Sequence, residues 1–192
     1  GDYLPVEGSR NTYFGFQVLD RKGMNEGFEA ARWTVDHHYL ETMGMELSTG
    51  RNFNKEMADD KSIIINESMA RSFGLDAPVD TQVVDMFDGT YRVIGVVKDF
   101  YFHSLTANVG PLAMVLGNGR ETLSLKVQSQ NMEETLATIN TVWQSFKPTQ
   151  PIRYTFMNQR FEQMYEDLIK AKTILLIFSV LSITIACLGL FA

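Results

Sequence analysis

The chain has 192 residues, of which 45% are hydrophobic and 21% are charged, a balance typical of a folded globular protein rather than a disordered one. Its 17 Lys and Arg residues against 23 Asp and Glu residues give a formal net charge of −6. The basic residues form no run, which argues against nucleic acid as a partner. The single cysteine, Cys187, lies in an apolar stretch, so the soluble part of the chain has no disulfide, and this fits oxidising and reducing compartments alike.

Two strands and a short helix are predicted near the start of the chain. β-prone residues indicate strands over residues 13–19 and 28–35. Asp36 is placed to cap a short helix that ends at Gly44. An extended piece over residues 45–53 follows, and an acidic loop then leads to the next strand.

That next strand, over the β-branched residues 62–65, runs directly into a helix. Asn66 is a suitable N-cap for this helix, and Gly74 is placed to end it. The apolar face of the helix would be formed by Met69, Ala70 and Phe73.

A hairpin is predicted around Asp88-Gly89, because an Asp-Gly pair between two β-rich runs, here residues 82–86 and 91–97, is a strong hairpin signal. A second hairpin is predicted around the turn at residues 117–119, which would join strands over residues 112–116 and 123–127.

The most regular helix of the soluble part follows the second hairpin. Asn131 and Glu134 form a capping pattern at its start, and a strand over residues 152–156 comes after it. Strand, helix and strand from 123 to 156 would form a βαβ unit with a right-handed crossover. The apolar stripe of the helix is interpreted as core rather than as a cofactor site, and it consists of Met132, Leu136, Ile139, Trp143 and Phe146.

The C-terminal stretch begins as an amphipathic helix and becomes apolar on every side. Residues 158–172 carry charge on one face, whereas residues 174–192 contain no ionisable side chain other than the thiol of Cys187. At about 1.5 Å per residue, such a helix covers most of a hydrocarbon layer about 30 Å thick, which indicates the start of a transmembrane helix. A helix buried in the core of a globular protein is the alternative interpretation.

These elements predict an α+β fold of two lobes, with βαβ units and a β-rich insert. We expect a water-soluble domain over residues 1–157, an amphipathic helix, here called the stalk, over 158–173 and the start of a transmembrane helix over 174–192.

The sequence offers little for metal or nucleotide chemistry. It contains no Gly-x4-Gly-Lys-Ser/Thr motif, and the glycines at 117–119 are better explained by a turn, so no cofactor is predicted. His37 and Glu41 could share a helix face with His38 nearby, but a metal site would need further ligands, and His103 is the one histidine left. We therefore predict no metal.

One catalytic hypothesis is left open. Asp99, His103 and Ser104 are the residue types of a hydrolase triad, although no nucleophile elbow surrounds the serine. The alternative is an aromatic strand end that packs Phe100 and Phe102 into a core, and we favour it. A triad would require the three side chains to converge in one cleft.

Several motifs in fixed order resemble the periplasmic domain of FtsX-like, MacB-type ABC transporter permeases, most of all the versions common in Bacteroidetes-type bacteria. The order is GMELSTGRNF, IIINES, RVIGVVKDFYFHSL and PIRYTFMNQRFEQMY, followed by an apolar helix that ends GLF. Residues 1–28 match this pattern poorly, and Asn158-Gln159 replaces a frequently acidic pair. The residues that match the family signature, for which the resemblance implies a structural role, are Gly50, Arg51, Phe53, Asn66, Glu67, Gly95, Val96, Asp99, Phe100 and Pro111.

The resemblance implies a non-catalytic, porter-like domain in the periplasm, attached to the inner membrane of a bacterium. Its partners would be an ABC ATPase subunit, a second permease copy or paralogue, and periplasmic or outer-membrane proteins. The domain would couple ATP-driven change to export or efflux, by transmitting movement through the stalk. The alternatives are a permease domain that regulates a cell-envelope hydrolase, or a membrane-tethered hydrolase.

Overall fold

A computed structural model of the chain describes residues 12–19, 27–100, 109–117, 122–127 and 129–191. The chain forms two compact units, Gly1–Leu136 and Ala137–Ala192. The described part of the first unit contains β1 (Tyr13–Val18), β2 (Phe28–Val35), α1 (Tyr39–Met43), β3 (Leu47–Gly50), β4 (Ser62–Asn66), α2 (Glu67–Ser72), β5 (Gln82–Asp85), β6 (Gly89–Val97) and β7 (Leu112–Leu116). Helix α3 (Met132–Phe146) begins in the first unit and ends in the second, which also contains α4 (Met157–Phe191).

The strands of the first unit form one mixed sheet whose pairings close into a ring. Six strands pair in the cyclic order β1, β2, β7, β4, β6, β5 and back to β1, while β3 pairs with the second half of β6. The β2–β7 and β4–β6 pairs are parallel, and the other pairs are antiparallel. The predicted α+β class is confirmed, but residues 82–97 belong to this sheet and do not form a separate β-rich insert.

Both faces of the sheet are covered, and strand β4 shows this most directly. Ile63 and Ile65 point into one apolar cluster together with Phe73, the C-cap of α2, whereas Ile64 points into a second cluster together with Leu40 of α1. All of these side chains are buried. Because a strand that is covered on both faces has no wet side, its sequence is a continuous apolar run rather than an alternation.

The predictions for α2, for the end of α1 and for the first hairpin are confirmed, but Asp36 is not the N-cap of α1: His38 holds that position, and the Asp36 carboxylate accepts from its backbone N–H at 2.9 Å. The Oδ1 atom of Asn66 accepts a hydrogen bond from the backbone N–H of Met69 at 2.9 Å, which caps α2. Helix α1 ends at Gly44, whose φ of 68° is left-handed. Strands β5 and β6 pair antiparallel, with Asp85 opposite Gly89, as the Asp-Gly signal predicted.

The second hairpin and the βαβ unit were predicted wrongly. Strand β7 has β2 on one edge and β4 on the other, so neither edge is available to residues 123–127. Residues 122–127 and 151–156 carry no strand, and Leu123 is 84% exposed. The turn residues 118–121 lie outside the described part of the chain. The alternation of apolar and polar residues could not by itself reveal that both edges of β7 are already paired with other strands.

Helix α3 is confirmed, but its apolar stripe is not fully buried. Met132, Leu136, Ile139 and Trp143 are half-buried, and Phe146 is 76% exposed. The indole Nε1 atom of Trp143 donates a hydrogen bond to the carbonyl oxygen of Gln150 at 2.8 Å.

The predicted C-terminal helix is also confirmed, as the 35-residue α4. Within the described residues, α4 contains one apolar window, Ile169–Gly189, that is long and apolar enough to cross a membrane, and none of this window is buried. The interpretation as a buried core helix therefore has no support in the fold.

Two glycines allow the backbone after β3 to approach β6. Gly50 has a φ of 80°, and a Cβ atom there would lie 2.7 Å from the Cα of Gly95 and still closer to the carbonyl oxygen of Ile94. A Cβ on Gly95 would lie 2.5 Å from the carbonyl oxygen of Arg51. Both positions therefore exclude any side chain.

We predict that Gly50→Ala lowers the free energy of unfolding by about 3 kcal/mol or more, since it combines a left-handed φ with a backbone clash. Gly44→Ala is the matched control, because Gly44 is also left-handed but has no atom within 4 Å of its Cβ position. It should cost about 1–2 kcal/mol. Chemical unfolding of the detergent-solubilised chain measures both, followed by tryptophan fluorescence in a Trp143→Phe background so that the signal comes from buried Trp33. Equal losses would contradict the close-approach argument.

Candidate functional site

The ten residues that match the family signature fall into two groups in the structure. The first group surrounds the β3–β6 contact, and the second lies where β4 and β6 end and β7 begins. The first group is Gly50, Arg51, Phe53, Gly95 and Val96, and the second is Asn66, Glu67, Asp99, Phe100 and Pro111. The contacts of these residues within the described part of the chain are packing and hydrogen-bonding contacts.

Arg51 forms a two-pronged ion pair with Asp59. Its Nη1 and Nη2 atoms donate to the two carboxylate oxygens at 2.8 and 2.7 Å. The same carboxylate accepts from the backbone N–H of Asn54 at 2.9 Å and from the hydroxyl of Ser62 at 3.0 Å. Asp59 is only 2% exposed, so these four bonds replace its hydration and fasten the acidic loop onto β4.

The Arg51 guanidinium holds the pKa of Asp59 well below its usual range, with the Asn54 and Ser62 bonds acting in the same direction against the effect of burial. Sequence reasoning missed Asp59, because it stands among several similar acidic residues in the loop. The neighbouring signature residues behave as core: Phe53 is buried in the cluster with α1, and Val96 in the cluster with α2.

Three residues of the second group, Asn66, Glu67 and Asp99, form with Ser68 and Arg71 what we call the polar junction. At its centre is the fully buried side-chain amide of Asn66. The Oδ1 atom of this amide accepts from the backbone N–H of Met69 and of Leu112, both at 2.9 Å. Its Nδ2 atom donates to the Asp99 carboxylate and to the carbonyl oxygen of Gly110, also at 2.9 Å. One side chain thereby joins β4, α2 and the segments that follow β6 and precede β7.

Asp99 completes the polar junction from the end of β6. Its carboxylate accepts from the backbone N–H of Ser68 at 2.9 Å and from the Arg71 guanidinium at 2.5 Å, in addition to Asn66. The Ser68 hydroxyl donates to the carbonyl oxygen of Val109 at 2.7 Å. The pKa of Glu67 lies below its usual value, chiefly because Ser48 donates a hydrogen bond to its carboxylate and also because the backbone N–H of Asp99 does.

Phe100 and Pro111 flank the polar junction and contact β2. The ring of Phe100 lies 5.8 Å from that of Trp33, centroid to centroid. The carbonyl oxygen of Pro111 accepts from the backbone N–H of Ala31 at 3.0 Å, which aligns the start of β7 with β2.

The hydrolase hypothesis finds no geometric support in the described residues. His103 and Ser104 lie outside them, so their convergence with Asp99 is not observed. The Asp99 carboxylate itself bonds three groups of the polar junction, which assigns it a role in holding α2 to β6.

The histidines considered as metal ligands lie at the start of α1. The Nδ1 atom of His38 is 4.0 Å from a carboxylate oxygen of Glu41, and both side chains are exposed. The carbonyl oxygen of His37 accepts from the Asn52 amide at 3.2 Å. Within the described ranges, no group of three or more His, Cys, Asp or Glu side chains is arranged to hold a metal ion.

A comparison with known protein families shows which family the chain belongs to. Residues 4–152 match the family model described as MacB-like periplasmic core domain. The chain belongs to this family. All ten signature residues lie within the matched range, and the resemblance to the periplasmic domain of MacB-type permeases is confirmed.

Two solved structures share the fold of this MacB-like domain. The periplasmic region of MacB from Actinobacillus actinomycetemcomitans aligns with a TM-score of 0.54 and 18% identity, over 81% of this chain and 72% of that one. The extracellular domain of the noncanonic ABC-type transporter YknZ from Gram-positive bacteria aligns with a TM-score of 0.51 and 15% identity, over 76% and 80%. A comparison with curated protein sequences found no match.

Asp59→Asn tests the ion pair of the MacB-like domain. At pH 7 the variant should lose about 2–3 kcal/mol of unfolding free energy, since it leaves the Arg51 guanidinium without its carboxylate. The folded pKa of Asp59 is lowered, so its stabilisation is present above the unfolded pKa of about 4 and is lost as the pH falls below it. The difference between parent and variant should therefore shrink in acid. A difference that stays constant from pH 7 to pH 3 in chemical unfolding would contradict this role.

Asn66→Asp tests the polar junction. The change keeps the acceptor atom but removes the two donated bonds, and it sets a second carboxylate against Asp99. We expect a loss of about 3 kcal/mol or more at pH 7. Like charges raise a carboxyl pKa, so acidification towards pH 4 should protonate one member of the pair and recover part of the loss.

The control for this variant is Ser72→Ala, which removes a local bond to the Ser68 carbonyl oxygen and should change stability by less than about 1 kcal/mol. Unfolding curves at pH 7 and pH 4.5 measure both. A loss in Asn66→Asp that is independent of pH would show that the two carboxylates do not face each other.

Proposed function

We propose that this chain is the extracytoplasmic part of an FtsX/MacB-type ABC transporter permease in a bacterial inner membrane, and that it transmits ATP-driven movement to periplasmic partners or substrates during export. It carries out no catalysis itself. The observation that carries the proposal is the combination of a MacB-like periplasmic core domain with one long, exposed apolar helix in the same chain.

The exposure of α4 supports a lipid environment for its C-terminal part. Leu175, Phe178 and Leu188 are each more than 60% exposed, and the whole Ile169–Gly189 window is unburied. Large apolar side chains exposed on all sides of a helix are costly in water but favourable in hydrocarbon. The polar side chains of this stretch do not oppose insertion, since the Thr184 hydroxyl donates to the carbonyl oxygen of Val180 within the same helix.

The continuity of α4 supports transmission of movement. The helix runs unbroken from Met157 to Phe191, about 50 Å at 1.5 Å per residue. It contains no proline, and its one glycine, Gly189, lies near the end, so two common causes of a kink are missing between the stalk and the span. A continuous helix of this kind can couple displacement at one end to displacement at the other.

We propose three functional segments on this basis: a MacB-like domain over residues 1–157, a stalk over 158–173 and a membrane segment over 174–192. ATP hydrolysis would belong to a separate ATPase subunit or domain, and a second permease copy or paralogue would complete the transporter. The ten signature residues would serve this function indirectly, by keeping the domain rigid.

Affinity purification of the full-length permease from gently solubilised native membranes, followed by mass spectrometry, tests the proposal. We expect an ABC ATPase to be recovered with it. The control bait carries Leu176→Lys and Leu181→Lys, which place two charges in the span at a cost of about 2.5–3.5 kcal/mol each. This bait should lose both membrane insertion and the ATPase.

Absence of an ATPase from the parent preparation, while a reference membrane complex in the same extract stays intact, would refute the transporter proposal. Recovery of a cell-envelope hydrolase together with the ATPase would identify the regulatory form of the same machine.

A further inference from the structure

Two lysines lie at the N-terminal end of the apolar window of α4. Lys170 and Lys172 are both exposed, and the window that contains them begins at Ile169. At 1.5 Å per residue, Lys172 lies about 5 Å inside this window. From Thr173 to Phe191 the helix has no further ionisable residue except Cys187.

The surroundings of these two lysines along the helix differ. Residues three or four positions apart share a helix face. Around Lys172 these positions include Ile169, Leu175 and Leu176, which are 61%, 68% and 59% exposed. Around Lys170, in contrast, the sequence has acidic residues at 166 and 167, one turn earlier. The helix face that carries Lys172 is therefore apolar both before and after the lysine, in the described part of the helix.

A charged lysine on an apolar, lipid-facing surface has limited options. Leaving the ammonium in hydrocarbon costs several kcal/mol, so a lysine near the end of a span extends its stem towards the headgroup layer. The groups available in that layer to an ammonium are chiefly lipid phosphates. Lys172 lies shallow enough for its side chain to reach them.

We propose that the ammonium of Lys172 binds the headgroup phosphate of an anionic phospholipid in the leaflet at the N-terminal end of the span, and that it thereby sets the depth of α4 in the membrane. The inference rests on the proposed function, since it requires α4 to be inserted. A lipid phosphate and a protein carboxylate both complement the ammonium, and the continuity of Lys172 with the exposed apolar window favours the lipid as the occupant.

Native mass spectrometry of the full-length permease in mild detergent, titrated with phosphatidylglycerol, tests the inference. One phosphate contact near the surface contributes about 1 kcal/mol, so Lys172→Gln should weaken phosphatidylglycerol binding about five-fold. Lys172→Arg should retain binding because it keeps the charge. Lys170→Gln is the matched control, and it should change binding by less than two-fold. Inorganic phosphate at the same concentration should not displace the lipid.

Unchanged lipid binding in Lys172→Gln would overturn the inference, as would an equal loss in Lys170→Gln. Loss of the ATPase from Lys172→Gln with lipid binding intact would assign the lysine to a protein contact instead. Carbonate extraction, which measures membrane insertion, and ATPase recovery are measured on the same preparations. They distinguish a failure of the proposed transporter function from a failure of the lipid inference. If the parent is inserted and holds its ATPase while the lysine variant binds lipid normally, only the lipid inference fails.

Discussion

The buried amide of Asn66 is the interaction on which the arrangement of the MacB-like domain depends. It is fully buried and makes four hydrogen bonds, two as acceptor and two as donor. These bonds reach the start of α2, the end of β6 and the start of β7. A buried polar group that loses a partner costs about 1–3 kcal/mol, so each of these elements is held in the one position that satisfies the amide. Asp99 and Arg71 extend the same network to the surface.

The sheet around the polar junction has an apolar cluster on each face, and its strands are paired along most of their edges. The ring of six strands leaves no free edge among its own members, and the two apolar clusters separate residues that are adjacent in sequence, such as Ile63 and Ile64. Among the described polar side chains, those of the polar junction and of the Arg51–Asp59 pair are engaged with each other. In the described residues, the large exposed apolar surface is that of α4, which is the part of the chain suited to lipid.

Prediction from sequence succeeded where structure is local. The Asn66 cap, the left-handed Gly44 and the Asp88-Gly89 hairpin each depend on a few neighbouring residues. Prediction failed for residues 123–127 and 152–156, where β-type alternation is present but no strand forms. The residue hardest to predict was Asp59. Its structural role depends on an ion pair with an arginine eight residues away and on its burial, and composition reveals neither.

The sequence by itself determined the helices, the Asp88-Gly89 turn, the apolar C-terminal helix and, through ordered motifs, the family. It could do so because caps, turn residues and hydrophobic periodicity act over a few residues of chain. The tertiary structure alone decided which strands are neighbours, that residues 82–97 close the sheet, and that some signature residues join other side chains in an ion pair and a polar junction. Strand pairing joins residues distant in sequence, and an edge can be paired only once. The parallel β2–β7 pair and the antiparallel β4–β7 pair therefore excluded a hairpin that the local sequence favoured.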